Sequence, residues 1–175
     1  NPVMIKIGSQ SYVEADVNSI SADGCTNDFS HNLNTQTVSE GNQIISVRAT
    51  SSNGSYIQKD VAVIVDYTPP SLSVISPTNN ESYYGTLTIS GIAGDNLGLT
   101  NVNVYIKTNG VALASWNPAV VPLSGNDWTT NWDTTTLPVG NVEITVEAID
   151  FAGNKTTQSK NVTIRPYISS ISLNS

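Results

Sequence analysis

Trp-Thr-Thr-Asn-Trp-Asp-Thr-Thr-Thr-Leu-Pro-Val-Gly-Asn-Val-Glu-Ile-Thr-Val-Glu-Ala-Ile-Asp-Phe-Ala-Gly-Asn, residues 128–154, is the stretch from which the fold can be read. In its second half Val142, Ile144, Val146 and Ala148 alternate with Glu143, Thr145 and Glu147. A period of two describes a strand with one buried face. Pro138 and Gly140 form a turn before this strand, and Asp150 to Asn154 form another after it.

The same stretch occurs earlier in the chain. A shift of 99 residues lays Phe29 on Trp128, Leu33 on Trp132, and Gly41-Asn42 on Gly140-Asn141. It also lays Ile45, Val47 and Ala49 on Ile144, Val146 and Ala148, without a gap. Extended outward, it matches Val3 and Ile7 to Val102 and Ile106, and Val63 and Val65 to Val162 and Ile164. Repetition at this period marks tandem modules of domain size. Residue 1 falls on Thr100, so the first module has no counterpart of residues 67–99. The reading is all-β: tandem immunoglobulin-like sandwiches, the first lacking its two opening strands. Residues 1–66 are the truncated module, 67–165 a complete one, and 166–175 the opening strand of a following module or a tail.

Charged residues make up 12% of the 175, and Gly and Pro punctuate the chain, as in a protein of many short strands. The formal charge of −7 leaves few cations to neutralise phosphates, which argues against nucleic acid. No apolar run is long enough for insertion into a membrane as a helix. The single Cys25 cannot form an internal disulfide or a cysteine-based zinc site.

In the first module strands are expected near Val3–Ile7, Tyr12–Asp16, Phe29–Leu33, Gln43–Thr50 and Val61–Val65. In the second they are expected at Ser71–Ser76, Thr86–Ala93, Asn101–Lys107, Val111–Trp116, Trp128–Trp132, Val142–Ile149 and Gln158–Ile164. Asn109-Gly110 is a hairpin signal. Seven such strands fit an immunoglobulin-like sandwich.

Four motifs fall in order along the second module: Asp66-x-Thr68-Pro69-Pro70, then Gly94-Asp95-Asn96-Leu97-Gly98-Leu99, then Trp132-Asp133-Thr134-Thr135-x-Leu137-Pro138-x-Gly140, and Ala148-x-Asp150-x-Ala152-Gly153-Asn154. This pattern resembles the bacterial Ig-like repeats of large surface and secreted proteins. The resemblance implies an extracellular or cell-surface setting, as in adhesin stalks or accessory domains of extracellular hydrolases. The first module departs from the pattern, with Ser51 in place of Asp150 and Leu33 in place of Trp132.

No catalytic set is visible, and the chain reads as a non-enzyme. His31 is the only histidine and has no Ser or Cys motif around it. Asp127 and Asp133 flank a strand and are weak candidates for a glycosidase pair. Trp128 and Trp132 share one strand face and read as core, whereas Trp116 is the tryptophan that could stack on a sugar.

Strand alternation brings Asp95-Asn96 and the loop from Asp150 to Asn154 to the end of the sandwich where Asp66 enters. Clustered carboxylates repel unless a cation neutralises them, and a hard cation with oxygen ligands, Ca²⁺, suits Asp66, Asp95 and Asp150 with Asn96 and Asn154 in reach. Asp95 and Asp150 serving only as backbone-bonding Asx turns is the other reading. The functions that follow are a structural spacer stiffened by calcium, with neighbouring modules as partners, or an adhesin module binding a glycan or host-surface protein. A third is a filament subunit joined by donor-strand exchange through residues 166–175.

Overall fold

The computed structural model describes residues 3–20, 27–113, 125–135 and 139–166. Cys25, Trp116 and the tail beyond Pro166 lie outside the described residues. The chain forms two compact units, Asn1–Tyr67 and Thr68–Ser175.

The strands of the first unit are β1 (Val3–Ile7), β2 (Val13–Glu14), β3 (Asp16–Ile20), β4 (Asn27–Ser30), β5 (Gly41–Thr50) and β6 (Tyr56–Val65). One sheet has the order β2-β1-β5-β6, and β3 pairs with β4 separately. Two expectations need correction. The strand foreseen at Tyr12–Asp16 is split, because Ala15 turns inward and donates its N–H to the Val3 carbonyl at 2.8 Å, separating β2 from β3. The strand foreseen at Phe29–Leu33 ends at Ser30, so His31 lies beyond it. A 3₁₀ turn at Thr35–Thr37 follows, capped by the Asn34 side chain accepting from the Gln36 N–H.

In the second unit the strands are β7 (Ser71–Ser76), β8 (Ser82–Tyr83), β9 (Thr86–Gly94), β10 (Leu99–Thr108), β11 (Val111–Ala112), β12 (Asp127–Asp133), β13 (Gly140–Asp150) and β14 (Lys155–Ile164). The order β11-β10-β13-β14-β8 makes one sheet and β12-β9-β7 the other. Their inner faces share one core, in which Val102, Val104, Ile144, Val146, Trp128 and Trp132 are buried. β8 escapes a reading by periodicity because it is two residues long, and it pairs parallel to β14.

The 99-residue shift carries β6 onto β14 end for end and β5 onto the body of β13. Among the described residues the first unit has no counterpart of β7 or β9, and its core is correspondingly smaller. Val3, Ile5 and Ala15 form one cluster, and Ile7, Val38 and Val65 another. Phe29 is 41% exposed, whereas Trp128 at the equivalent place is 2% exposed. Trp128 lies opposite Gly91 of β9, where a Cβ would meet the indole at 2.5 Å, so the ring is covered by bare backbone.

Candidate functional site

Asp95 follows β9, and its Oδ1 accepts hydrogen bonds from the N–H groups of Leu97 (2.8 Å) and Gly98 (2.9 Å). This is the local turn that an aspartate at such a place forms. Its Oδ2 is buried and has no hydrogen-bond partner among the described residues.

Asp150 ends β13 and is only 1% exposed. Oδ1 accepts from the Asn154 N–H at 2.9 Å and Oδ2 from the Asn154 side-chain amide at 2.8 Å. Burial pushes the Asp150 pKa up, but the Asn154 side chain and the N–H groups of Asn154, Gly153 and Ala152 outweigh it and hold the pKa below the usual value. The loop is tied to β10 by the Thr100 hydroxyl, which donates to the Asp150 carbonyl at 2.7 Å. A carboxylate oxygen of Asp95 and one of Asp150 lie within 4.8 Å of each other.

The second unit thus brings Asp95, Asp150 and Asn154 together, with Asn96 exposed on the same loop as Asp95. Asp66 belongs to the first unit, next after β6, where the following N–H, of Tyr67, donates to Glu40 Oε1 at 2.9 Å. The ligand atoms of the pair are all oxygens, as a hard cation requires; Leu97 and Gly98 take up both lone pairs of Asp95 Oδ1, while Asp95 Oδ2 accepts no hydrogen bond among the described residues.

Asp127 and Asp133 sit at opposite ends of the seven-residue β12, on the order of 20 Å apart, too far for two carboxylates acting on one glycosidic bond. Both are exposed. Hydrogen bonds from the Thr135 side chain and backbone lower the Asp133 pKa, so it acts as a turn residue.

Two side-chain clusters had no signature in the sequence, because strand register assembles them. In the first unit the Arg48 guanidinium lies 4.5 Å from the Tyr12 ring centre and 4.1 Å from that of Tyr56, and it donates to Gln58 Oε1 at 3.2 Å. In the second unit Glu147 accepts from Asn103 and Tyr105, both at 3.2 Å, and from Lys155 at 3.4 Å.

Residues 70–146 match the family model of the bacterial Ig domain, and this part of the chain is a bacterial Ig-like module. Among solved structures, fibronectin(III)-like modules of CbhA from Clostridium thermocellum align over 99% of this chain and 83% of theirs, with TM-score 0.52 and 18% identity. A tetra-tandem repeat in the extending region of a large adhesion protein aligns over 94% of this chain and 42% of its own, with TM-score 0.46 and 20% identity. An endo-beta-1,4-mannanase from Thermotoga petrophila aligns over 58% of this chain, with TM-score 0.47 and 17% identity, and the chain spans 21% of that protein's length. At these identities the likeness is one of fold. No curated protein matches the sequence.

Proposed function

We propose that the chain is a non-catalytic spacer, a run of Ig-like modules of an extracellular or surface protein, and that Ca²⁺ bound by Asp66, Asp95 and Asp150, with Asn96 and Asn154, stiffens it. The observation that carries the calcium reading is the close pair Asp95 and Asp150, one of whose oxygens is buried without a hydrogen-bond partner. Such a pair is costly unless a cation neutralises it. Chain connectivity supports a part for Asp66. It stands five residues before Ser71, a span of at most roughly 17 Å, and Ser71 pairs with Gly94 beside Asp95. Arg165 occupies the place equivalent to Asp66 after β14 and would weaken a site of this kind there.

The test is a calcium titration of the chain in chelator-treated buffer, followed by melting and by small-angle scattering. A ligand held by the native state at a hundredfold excess over its dissociation constant adds about 2.7 kcal/mol. The expected result is a higher melting temperature and a narrower distribution of conformations, both lost in Asp95→Asn and Asp150→Asn and reduced in Asp66→Asn. A melting curve and scattering profile that calcium leaves unchanged would refute the site.

A second reading, a module that binds a glycan or a host-surface protein, draws support from Tyr56, which is 56% exposed beside Arg48 on an open sheet face. Glycan-array measurements of the wild type, Tyr56→Ala and Trp116→Ala decide it. The spacer reading expects no saturable binding, and binding abolished by either substitution would replace it.

A further inference from the structure

The outer face of the first sheet holds a positive charge that no carboxylate on that face answers. Arg48 of β5 stands opposite Met4 of β1 on one side and Gln58 of β6 on the other. Its guanidinium stacks on the rings of both Tyr12 and Tyr56, and the Lys6 ammonium lies 5.1 Å from the Tyr12 ring centre. Cation and ring alternate in the order Lys6, Tyr12, Arg48, Tyr56. Arg48 Nη2 donates to Gln58 Oε1, which also accepts from the Tyr12 hydroxyl at 2.9 Å, while Gln58 Nε2 donates to Asp60 at 3.0 Å. Among the described residues Arg48 Nε is buried without a partner, Nη1 is accessible and donates to nothing, and neither Arg48 nor Lys6 makes an ion pair. The carboxylates of this face, Glu14 and Asp60, stand on the two end strands, β2 and β6.

The second unit shows how the same position is treated when its charge is satisfied internally. The 99-residue shift lays Arg48 on Glu147 and Tyr56 on Lys155. Glu147 has three partners on its own face, including the Lys155 ammonium of opposite charge. Arg48 has one neutral partner and two rings. Holding a long cation in place costs side-chain entropy, and the rings shield part of the guanidinium from water. What results is a fixed fork of donors, the geometry that suits a carboxylate. Tyr56 remains 56% exposed beside it, with ring surface to spare.

We infer that the outer face of β1, β5 and β6 binds an acidic polysaccharide built of uronic acids. The carboxylate of one sugar takes the unused donors of Arg48, Lys6 serves the carboxylate of a neighbouring unit, and the exposed side of Tyr56 gives a sugar ring an apolar surface to lie on. Sugar hydroxyls find partners in Gln58 and the Tyr56 hydroxyl. Single-stranded nucleic acid uses rings and cations too, but two cations are few for a phosphate backbone, whose binding depends on the number of charges neutralised. The inference rests on the second reading above, a module that binds a glycan, and supplies the class of sugar.

The probes are short oligomers of galacturonate and of mannuronate, titrated calorimetrically into the intact chain. Excess chelator is present, so that neither calcium bridging of uronates nor the calcium reading plays a part. The expected result is saturable binding of a uronate oligomer that weakens with added salt. Arg48→Gln and Arg48→Lys are each expected to weaken it about tenfold or more, since the lysine keeps the charge and loses the fork. Lys107→Gln, on the second unit, leaves it unchanged. Methyl esterification of the oligomer removes the ligand's charge without touching the fold of the protein, and it is expected to abolish binding. Ester and acid binding equally well, with both affinities lost in Tyr56→Ala, overturns the inference while the glycan reading stands. Absence of saturable binding to either oligomer overturns it, and a glycan array that is also blank removes the glycan reading with it. An oligothymidylate that binds more tightly than the uronates, and is lost in Arg48→Gln, overturns it in favour of nucleic acid.

Discussion

Replacing Trp128 by alanine is expected to destabilise the second unit by about 4 kcal/mol and to lower its melting temperature by on the order of 20 °C. Trp128 is among the largest fully buried side chains, and its ring is packed against backbone that cannot move in to fill the void. The indole Nε1 is buried without a hydrogen-bond partner among the described residues. Trp128→Phe therefore removes an unsatisfied donor along with the lost volume, and it is expected to cost less than half as much as Trp128→Ala. Gly91→Ala checks the same contact from the other side. Its new Cβ would meet the Ser73 carbonyl at 2.0 Å and the indole at 2.5 Å, so it is also expected to be severe. In the double variant Gly91→Ala, Trp128→Ala the indole clash disappears, and the two costs are expected to sum to more than the pair shows. Chemical denaturation of the four proteins measures this. Additive costs would mean that glycine and indole do not share the contact.

The contrast between Trp128 and Phe29 shows where the sequence was a sufficient guide and where it was not. Val142 to Ala148 alternate so regularly that a buried face is the only good solution, and all four inward residues are 2% exposed or less. The motif around Asp150 also declares its turn, because an aspartate before Ala-Gly-Asn has donors at the right spacing. Phe29 matches Trp128 in apolar character, and on that basis it too would be core. Whether it is buried depends on a strand from elsewhere in the module, which no window around Phe29 can reveal. The stack of Tyr12, Arg48 and Tyr56 escaped for the same reason. Its members are 36 and 8 residues apart in sequence and become neighbours only through the register of the sheet.

Glu147→Ala is expected to cost the second unit about 3 kcal/mol at neutral pH, because it strips Asn103 and Tyr105 of their shared acceptor. Asn103 is 6% exposed, its Oδ1 has no hydrogen-bond partner among the described residues, and without Glu147 its amide keeps only the longer contact to the Tyr105 hydroxyl at 3.4 Å. The Lys155 contact contributes little, since that side chain is 54% exposed and such pairs are worth at most about 1 kcal/mol. Lys155→Ala is accordingly expected to be mild. Burial pushes the Glu147 pKa up, but hydrogen bonds from Asn103, Tyr105 and Lys155, with the lysine charge, hold it below the usual glutamate value. A carboxylate depressed on folding contributes stability that is fully present above its unfolded pKa of about 4.3 and is lost as pH falls through the lower folded pKa. Glu147→Gln keeps an acceptor for Asn103 and removes the charge. Its cost relative to wild type is therefore expected to be smaller than that of alanine at neutral pH, and to shrink further as pH falls through the lowered folded pKa and the wild-type carboxyl takes up its proton. Melting curves of wild type, Glu147→Gln and Glu147→Ala from pH 7 to pH 3 measure both differences. A gap between wild type and Glu147→Gln that stays constant across this range would show that the charge of Glu147 adds nothing to the hydrogen bonds it accepts.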